Sequence, residues 1–264
     1  MALTPKPHHV TERPSEMRLS YKIGKILTGE AFDSAKRHTR AFVRNRRFPA
    51  RLTTAAIIAS IDAAAFEEIR RKYAVEDPGD APPKYLDLET WMRINLQRVR
   101  ELELDYAPPS TILDIGCGAG YFLYISRMLG HNVLGLDVDE LPMFRELTEL
   151  LRIPRVLARI EAFRPLPQFD RRFDLITAHL VCFNNHKSEG LWGPAEWDYF
   201  LNDVALHLTP RGSVRLELNR EYDGTYYTPE LEKYFRERGA EVEFYRIIFN
   251  PGKLLPAATA TVAS

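Results

Sequence analysis

Thr111-Ile112-Leu113-Asp114-Ile115-Gly116-Cys117-Gly118-Ala119-Gly120-Tyr121 is an apolar strand-like run that meets three glycines at alternate positions and continues at once into a helical stretch to Leu129. Glycine is needed where the chain turns with positive φ, or where a ligand lies so close to the backbone that a Cβ would collide with it. A strand that ends in such a turn and opens a helix is built to receive a ligand. A dinucleotide turn of the GxGxxG type would need its third glycine at position 121, and Tyr121 stands there, so the run reads DxGxGxG from Asp114 to Gly120 instead. A pyrophosphate would also need the helix N-terminus open, which the bulk of Tyr121 opposes. The spacing favours a nucleoside without phosphates.

The next apolar run, Asn132 to Leu136, ends in Asp137, 21 residues after Gly116. A carboxylate at the end of the strand beside the glycine turn accepts hydrogen bonds from both hydroxyls of a ribose. Asp139, two residues on, has a second reading as the first-turn acid of the following helix. Further along, short apolar strands alternate with amphipathic helices: Arg155 to Leu157, Phe173 to Ala178, Ser213 to Leu218 and Val242 to Phe249. This alternation predicts βαβ units and an α/β fold with a largely parallel sheet covered on both faces. Gly193-Pro194 and Thr228-Pro229 mark two helix starts.

Upstream, the first twenty residues are polar and hold Pro5, Pro7 and Pro14, which reads as a flexible arm over 1–20. Residues 21–84 read as a helical N-terminal extension, with Ile58, Ile61, Ala65, Phe66 and Ile69 at helical spacing and a turn cluster at Asp77–Pro83 as its end. Leu88, Met92, Leu96, Val99 and Leu102 then form one apolar helical stripe, with Arg93, Gln97, Arg98 and Glu101 assigned largely to the other side. Residues 85–250 are the expected ligand-binding domain and 251–264 a loose tail.

Lysine plus arginine and aspartate plus glutamate number 36 each in the 264 residues, so the net charge is zero and gives no general reason to expect nucleic acid or anionic lipid. The balance is uneven: residues 1–51 hold 12 basic and 4 acidic side chains, which suits either docking on an acidic body or reaching an anionic partner such as RNA. Cys117 and Cys182 are the two cysteines, without CxxC or metal spacing, and point to a reducing compartment. The most apolar stretch, Leu52 to Phe66, contains Ser60 and Asp62 and falls short of the roughly 20 residues of a membrane span. With no apolar core of a secretory signal at the N-terminus, the expected location is cytoplasmic.

The run Leu113 to Tyr121, the strand end Gly135-Leu136-Asp137, and Pro165-Leu166-Pro167 followed by Phe173-Asp174-Leu175-Ile176 resemble the class I S-adenosylmethionine-dependent methyltransferases, as does Leu208-Thr-Pro-Arg-Gly-Ser213 before the fifth strand. The resemblance covers residues 85 to about 250 and implies a Rossmann-like doubly wound, mostly parallel seven-stranded sheet with S-adenosyl-L-methionine as cofactor. It implies that Asp114, Gly116, Cys117, Gly118, Gly120 and Tyr121 face the methionine part, that Asp137 with Val138 holds the ribose, and that Ala178 lines the same edge. Adenine falls to residues after the third strand, where Ala158-Arg159-Ile160-Glu161 offers Glu161 alone. After the helix Pro229 to Arg238 the sequence shows one strand where the resemblance implies two.

Methyl transfer asks the protein chiefly for proximity, alignment and exclusion of water, plus a general base where the acceptor must lose a proton. In this fold the end of the fourth strand looks onto the transferred group, and there the sequence reads Thr177-Ala-His-Leu-Val-Cys-Phe-Asn-Asn-His186. His179 and His186 are the candidate catalytic residues, each with the alternative of a polar lining group. Asn184-Asn185 loosely resembles a signature for planar nitrogens, but the proline and aromatic that should follow are missing. Cys182 lies between apolar neighbours and reads as structural. Asn184, Asn219, Arg220 and Tyr226 are the candidate substrate residues, and Trp192 and Trp197 either cap the same mouth or pack a helix. The expected acceptor is a small molecule or a glycan-type hydroxyl. The alternatives are a binding module without catalysis and an RNA methyltransferase using the basic arm.

Overall fold

The structure, a computed structural model, describes residues 46–74, 82–183, 190–221 and 225–254, and before them positions 35, 39 and 42–44. The expected arm 1–20 and most of the tail 251–264 lie outside the described residues. Two units divide at Pro49, Met1–Pro49 and Ala50–Ser264. In the first, the described positions from 35 to 47 are helical, and the Thr39 hydroxyl donates to the Ala35 carbonyl over 2.9 Å.

The second unit opens with α1 (Thr54–Ala59) and α2 (Ala63–Tyr73). One continuous stripe was expected here, but the helix ends at Ser60 and restarts at Asp62, whose Oδ1 accepts from the amides of Ala64 and Ala65 at 3.0 Å each. This cap satisfies donors that a helix start would otherwise leave open. A 3-10 segment, Pro82–Leu86, leads to α3 (Leu88–Glu101), capped by Asp87. There follow β1 (Thr111–Ile115), α4 (Tyr121–Met128), β2 (Asn132–Asp137), α5 (Pro142–Leu150), β3 (Arg155–Leu157) and β4 (Phe173–Val181). The chain closes with α6 (Pro194–His207), β5 (Leu208–Leu218), α7 (Pro229–Glu237), β6 (Glu241–Glu243) and β7 (Arg246–Phe249).

These seven strands form one sheet in the order β3-β2-β1-β4-β5-β7-β6. The first five strands pair in parallel, while β7 runs antiparallel to both β5 and β6. The chain moves outward from β1 to β3 and then returns to place β4 on the other side of β1. The carboxyl ends of β1 and β4 therefore flank the switch point where open α/β sheets bind ligands.

The single expected strand Val242 to Phe249 is in fact two. Phe244 takes φ 57° and reverses the chain, so that Glu243 pairs with Arg246 and Val242 with Ile247. The apolar alternation runs through the turn residues Phe244 and Tyr245, and for that reason the sequence pattern alone does not reveal the break. β5 also begins earlier than expected, at Leu208 directly after α6, with an irregular register before Leu175 pairs with Ser213.

Each face of the sheet has its own core. Leu113, Ile115, Ile176, Ala178 and Leu216 face α6 and α7, where Trp197, Phe200 and Phe235 pack on them. Ile112, Val133 and Leu175 face the other way and meet α1 to α5 through Ile57, Phe66, Met92, Leu123 and Leu147. The helices α1 and α2 thus share a core with the sheet. Removing the cap in Asp62→Ala is expected to lower stability by about 1 kcal/mol, read as a shift of the urea midpoint with unchanged slope.

Candidate active site

At the end of β1 the chain enters the glycine turn. Gly116 and Gly118 have φ of +70° and +52°, a region that side chains occupy only with strain. The two positions differ in what surrounds them. A Cβ at Gly116 would lie 2.4 Å from Val181 Cγ2, so this glycine makes room for β4. A Cβ at Gly118 would meet only the Phe144 ring, at 3.7 Å, which leaves the turn's outer side open.

The carboxylate of Asp137 ties the turn to β2. Its Oδ2 accepts from the Gly118 amide at 2.5 Å and its Oδ1 from the Val138 amide at 2.7 Å. Burial pushes this carboxyl up, while the two amides and Arg155 pull it down and Glu140 opposes them. Each oxygen keeps a further acceptor position, which is what a pair of ribose hydroxyls needs. Asp139 instead pairs with Arg145 at 2.7 Å and Arg155 at 3.3 Å. It is not a first-turn acid, because α5 starts three residues later at Pro142.

Asp114 is buried on β1, with its Oδ1 accepting from the Thr177 hydroxyl at 2.7 Å. Burial pushes its carboxyl up, against the opposing pull of His179, Thr177 and Arg98. Cys117 is buried too, and burial, with Asp137 and Asp114 nearby, raises its thiol well above the usual range, which makes it unreactive. The Tyr121 ring points inward, and its hydroxyl donates to the Tyr85 carbonyl at 2.8 Å. It therefore pins α4 to the 3-10 segment instead of crowding the helix N-terminus. Ala178 is fully buried beside Ile115. Glu161 is paired with Arg164 one turn on.

His179 stands near the carboxyl end of β4, opposite Glu217 of β5. Its Nδ1 lies 3.1 Å from Glu217 Oε2, and the ring meets Phe122 of α4 edge-on, with centroids 4.7 Å apart. Nε2 is buried with no hydrogen-bond partner among the described residues. The next residue, Leu180, is an extra residue in β4: His179 pairs with Glu217 and Val181 with Leu218, leaving Leu180 between them at φ 59° and 44% exposed. A bulge at a strand end re-aims its neighbours, and a leucine in this backbone region is strained. His186 and Asn184 lie outside the described residues.

Beyond the bulge, Phe183, Trp192, Trp197, Tyr226 and Tyr227 wall a narrow cleft with Glu221 at its side. Trp192 and Trp197 pack edge to face at 5.4 Å within the core and also border the cleft. Arg220 donates from Nε to the Tyr226 hydroxyl at 3.0 Å and lies over its ring, while Asn219 Oδ1 accepts from the Arg220 amide. The sequence reasoning did not find Glu217, and no motif marks it.

A family model described as a methyltransferase domain matches residues 112–212, which run from β1 into β5 and include the glycine turn, Asp137 and His179. This region is a class I S-adenosylmethionine-dependent methyltransferase domain. S-adenosylmethionine is the cofactor of such a domain, and the residues fit it: the open side of Gly118 admits a ligand against the backbone, and Asp137 faces it with acceptor positions to spare. No curated protein matches the chain. Among solved structures, the chain is similar to the PH0226 protein from Pyrococcus horikoshii OT3, with 16% identity, 70% of this chain and 98% of that one covered, and a TM-score of 0.43. It is also similar to CalS10, an amino pentose methyltransferase from Micromonospora echinaspora, with 19% identity, 53% and 52% coverage and a TM-score of 0.37. Streptomyces venezuelae DesVI is similar at 17% identity, with 60% and 58% coverage and a TM-score of 0.37. The chain thus spans little more than half the length of CalS10 and DesVI. No described helix is long and apolar enough to cross a membrane, and no described cluster of side chains has the makings of a metal site.

Glycine at position 180 would release the about 1–2 kcal/mol that a side chain costs in left-handed backbone, against about 0.5–1 kcal/mol of added chain freedom. Leu180→Gly is therefore expected to leave the urea midpoint unchanged or raise it. A clear fall in the midpoint would show that the bulge is not strained.

Proposed function

We propose that the protein transfers the methyl group of S-adenosylmethionine to a small-molecule or glycan-type acceptor at oxygen, in the cytoplasm. The observation that carries the reading is the aromatic-walled cleft past the carboxyl ends of β4 and β5, in a domain whose glycine turn keeps one open side. Concave sites with aromatic walls and few polar groups suit small ligands.

In this reading the turn Gly116 to Gly120 and Asp114 hold the methionine part of the cofactor, Asp137 and Val138 the ribose, and Ala178 the floor, while Glu161 serves the adenine. When bound, the cofactor supplies an electrophilic methyl group on a positively charged sulfur. The chain's own contribution is to orient the acceptor and exclude water. Tyr226 and the flat faces of Trp192 and Trp197 hold the acceptor's body, with Asn219 and Arg220 at the mouth. His179 takes the hydroxyl proton; Asn184 and His186, the other candidates, lie outside the described residues.

Calorimetric titration with S-adenosylmethionine, S-adenosylhomocysteine and NAD tests this reading. The two adenosyl ligands are expected to bind in the micromolar range and NAD not at all, with binding lost in Asp137→Ala. A screen of hydroxyl acceptors with labelled methyl donor then identifies the substrate. Binding of NAD alone, or of none of the three, would overturn the proposal.

A further inference from the structure

Glu217 has no role in the methyl transfer outlined above, yet it is among the most fully engaged charged groups in the described structure. Its side chain is 5% exposed, on the face of β5 that lies under α3. Oε2 receives Arg98 of α3 at 3.1 Å and His179 Nδ1 at 3.1 Å, and Oε1 faces Arg246 of β7 at 3.3 Å. Behind these, Arg246 donates to Glu101 at 2.6 Å and Arg98 to Asn95 at 3.1 Å. The charged groups around the His179 ring are therefore Glu217 of β5, Arg98 of α3 and Asp114 of β1, with Phe122 of α4 against the ring edge. Around Glu217 they are His179, Arg98, Arg246 and Arg215.

This arrangement decides where the imidazole carries its proton. Burial alone would raise the Glu217 carboxyl, but the hydrogen bond from His179 and the guanidinium charges of Arg98 and Arg246 hold it far below the usual carboxylate range, so it is ionised. An ionised carboxylate is an acceptor only, so the ring nitrogen bonded to it must be the donor. With the hydrogen on Nδ1, the neutral ring has its lone pair on Nε2. Nε2 is the buried nitrogen that has no partner among the described residues.

We propose that Glu217 is a positioning residue that fixes His179 with its hydrogen on Nδ1 and its lone pair on Nε2, ready to take the proton of a methyl acceptor. The inference rests on the proposed methyl transfer for the identity of that acceptor, while the tautomer itself can be read without any ligand. In the proton step the acceptor's O–H bond breaks and Nε2 forms the new N–H bond. The oxygen keeps the bonding pair and forms its new bond to the methyl carbon with it, while the methyl–sulfur bond breaks and its pair passes to the sulfur, which leaves as a neutral thioether; the Glu217 carboxylate faces the imidazolium so formed. An acceptor that loses a proton, a hydroxyl or an ammonium group, is the class that such a ring serves. Arg98 and Arg246 keep the carboxylate from turning away, which places both in the support of the ring and not in contact with substrate.

The test is nitrogen-15 NMR of the full chain carrying labelled histidine, with the His179 signal identified by its loss in His179→Gln. The neutral form of the wild-type ring is expected as the Nδ1–H tautomer. In Glu217→Gln the amide oxygen turns to the two arginines and its NH2 group donates to Nδ1, which moves the ring hydrogen to Nε2. With an acceptor in hand, the same variant is expected to lose about 100-fold in kcat, the scale of a general base, with S-adenosylmethionine affinity unchanged by calorimetry. A wild-type ring that is mainly the Nε2–H tautomer overturns the proposal, and this needs no variant to fold. So does an unchanged tautomer, or an unchanged kcat, in folded Glu217→Gln. If S-adenosylmethionine fails to bind the wild type, the methyl-transfer reading falls and this proposal with it. A wrong tautomer in a protein that binds and turns over the cofactor overturns this proposal alone.

Discussion

The ion cluster at Glu217 is the interaction on which this half of the molecule depends. Taking a carboxylate and two guanidinium groups out of water costs several kcal/mol per ion, and only close, well-directed pairing returns that cost. The sheet register supplies the pairing, because His179, Glu217 and Arg246 lie side by side on β4, β5 and β7. Arg98 then enters from α3 and closes the cluster from above. One carboxylate thus joins three strands and the covering helix, and removing any partner would leave a buried charge uncompensated. The same contacts fix α3 in rotation, which sets Met92 and Val99 into the core beneath the glycine turn.

A second constraint runs through the turn itself. Asp137 holds the Gly118 amide, the Leu136 carbonyl accepts from the Gly116 amide at 2.7 Å, and Cys117 fits only because position 135 is glycine, where a Cβ would stand 2.6 Å from its sulfur. Gly116 in turn gives space to Val181, the residue just past the β4 bulge. The bulge at Leu180 and the glycine turn are therefore fitted to each other. Strain at Leu180 is held by well-paired strands on both sides, as local strain at functional sites generally must be.

Much of this was legible in the chain. The glycine spacing, the acid at the end of the second strand and the alternation of strands with helices are local patterns, and each has a backbone reason that does not depend on distant residues. The parallel sheet and the place of Asp137 beside the glycine turn followed from them. Other features were misread where a local pattern had two outcomes. The α3 stripe assigned Arg98 largely to the side away from the apolar residues, yet its side chain is 12% exposed and faces Glu217, 119 residues away. The apolar run 242–249 was read as one strand because Phe244 and Tyr245 are as apolar as the strands they separate. The stripe around Ile58 to Ile69 was read as continuous because helical spacing persists across a capped break.

The sequence by itself determined the fold class, the glycine turn and the acid that binds its backbone, because these rest on glycine conformation and on residues at strand ends a fixed distance along the chain. Only the tertiary structure decided which charges are buried together. Arg98, His179, Glu217 and Arg246 belong to four different elements, and no spacing in the chain relates them. Their meeting follows from strand order, strand register and the rotation of α3 over the sheet. A lone glutamate in a strand reads as a solvent-facing residue until the cations that enclose it are known, since a carboxylate is stable in the interior only when paired.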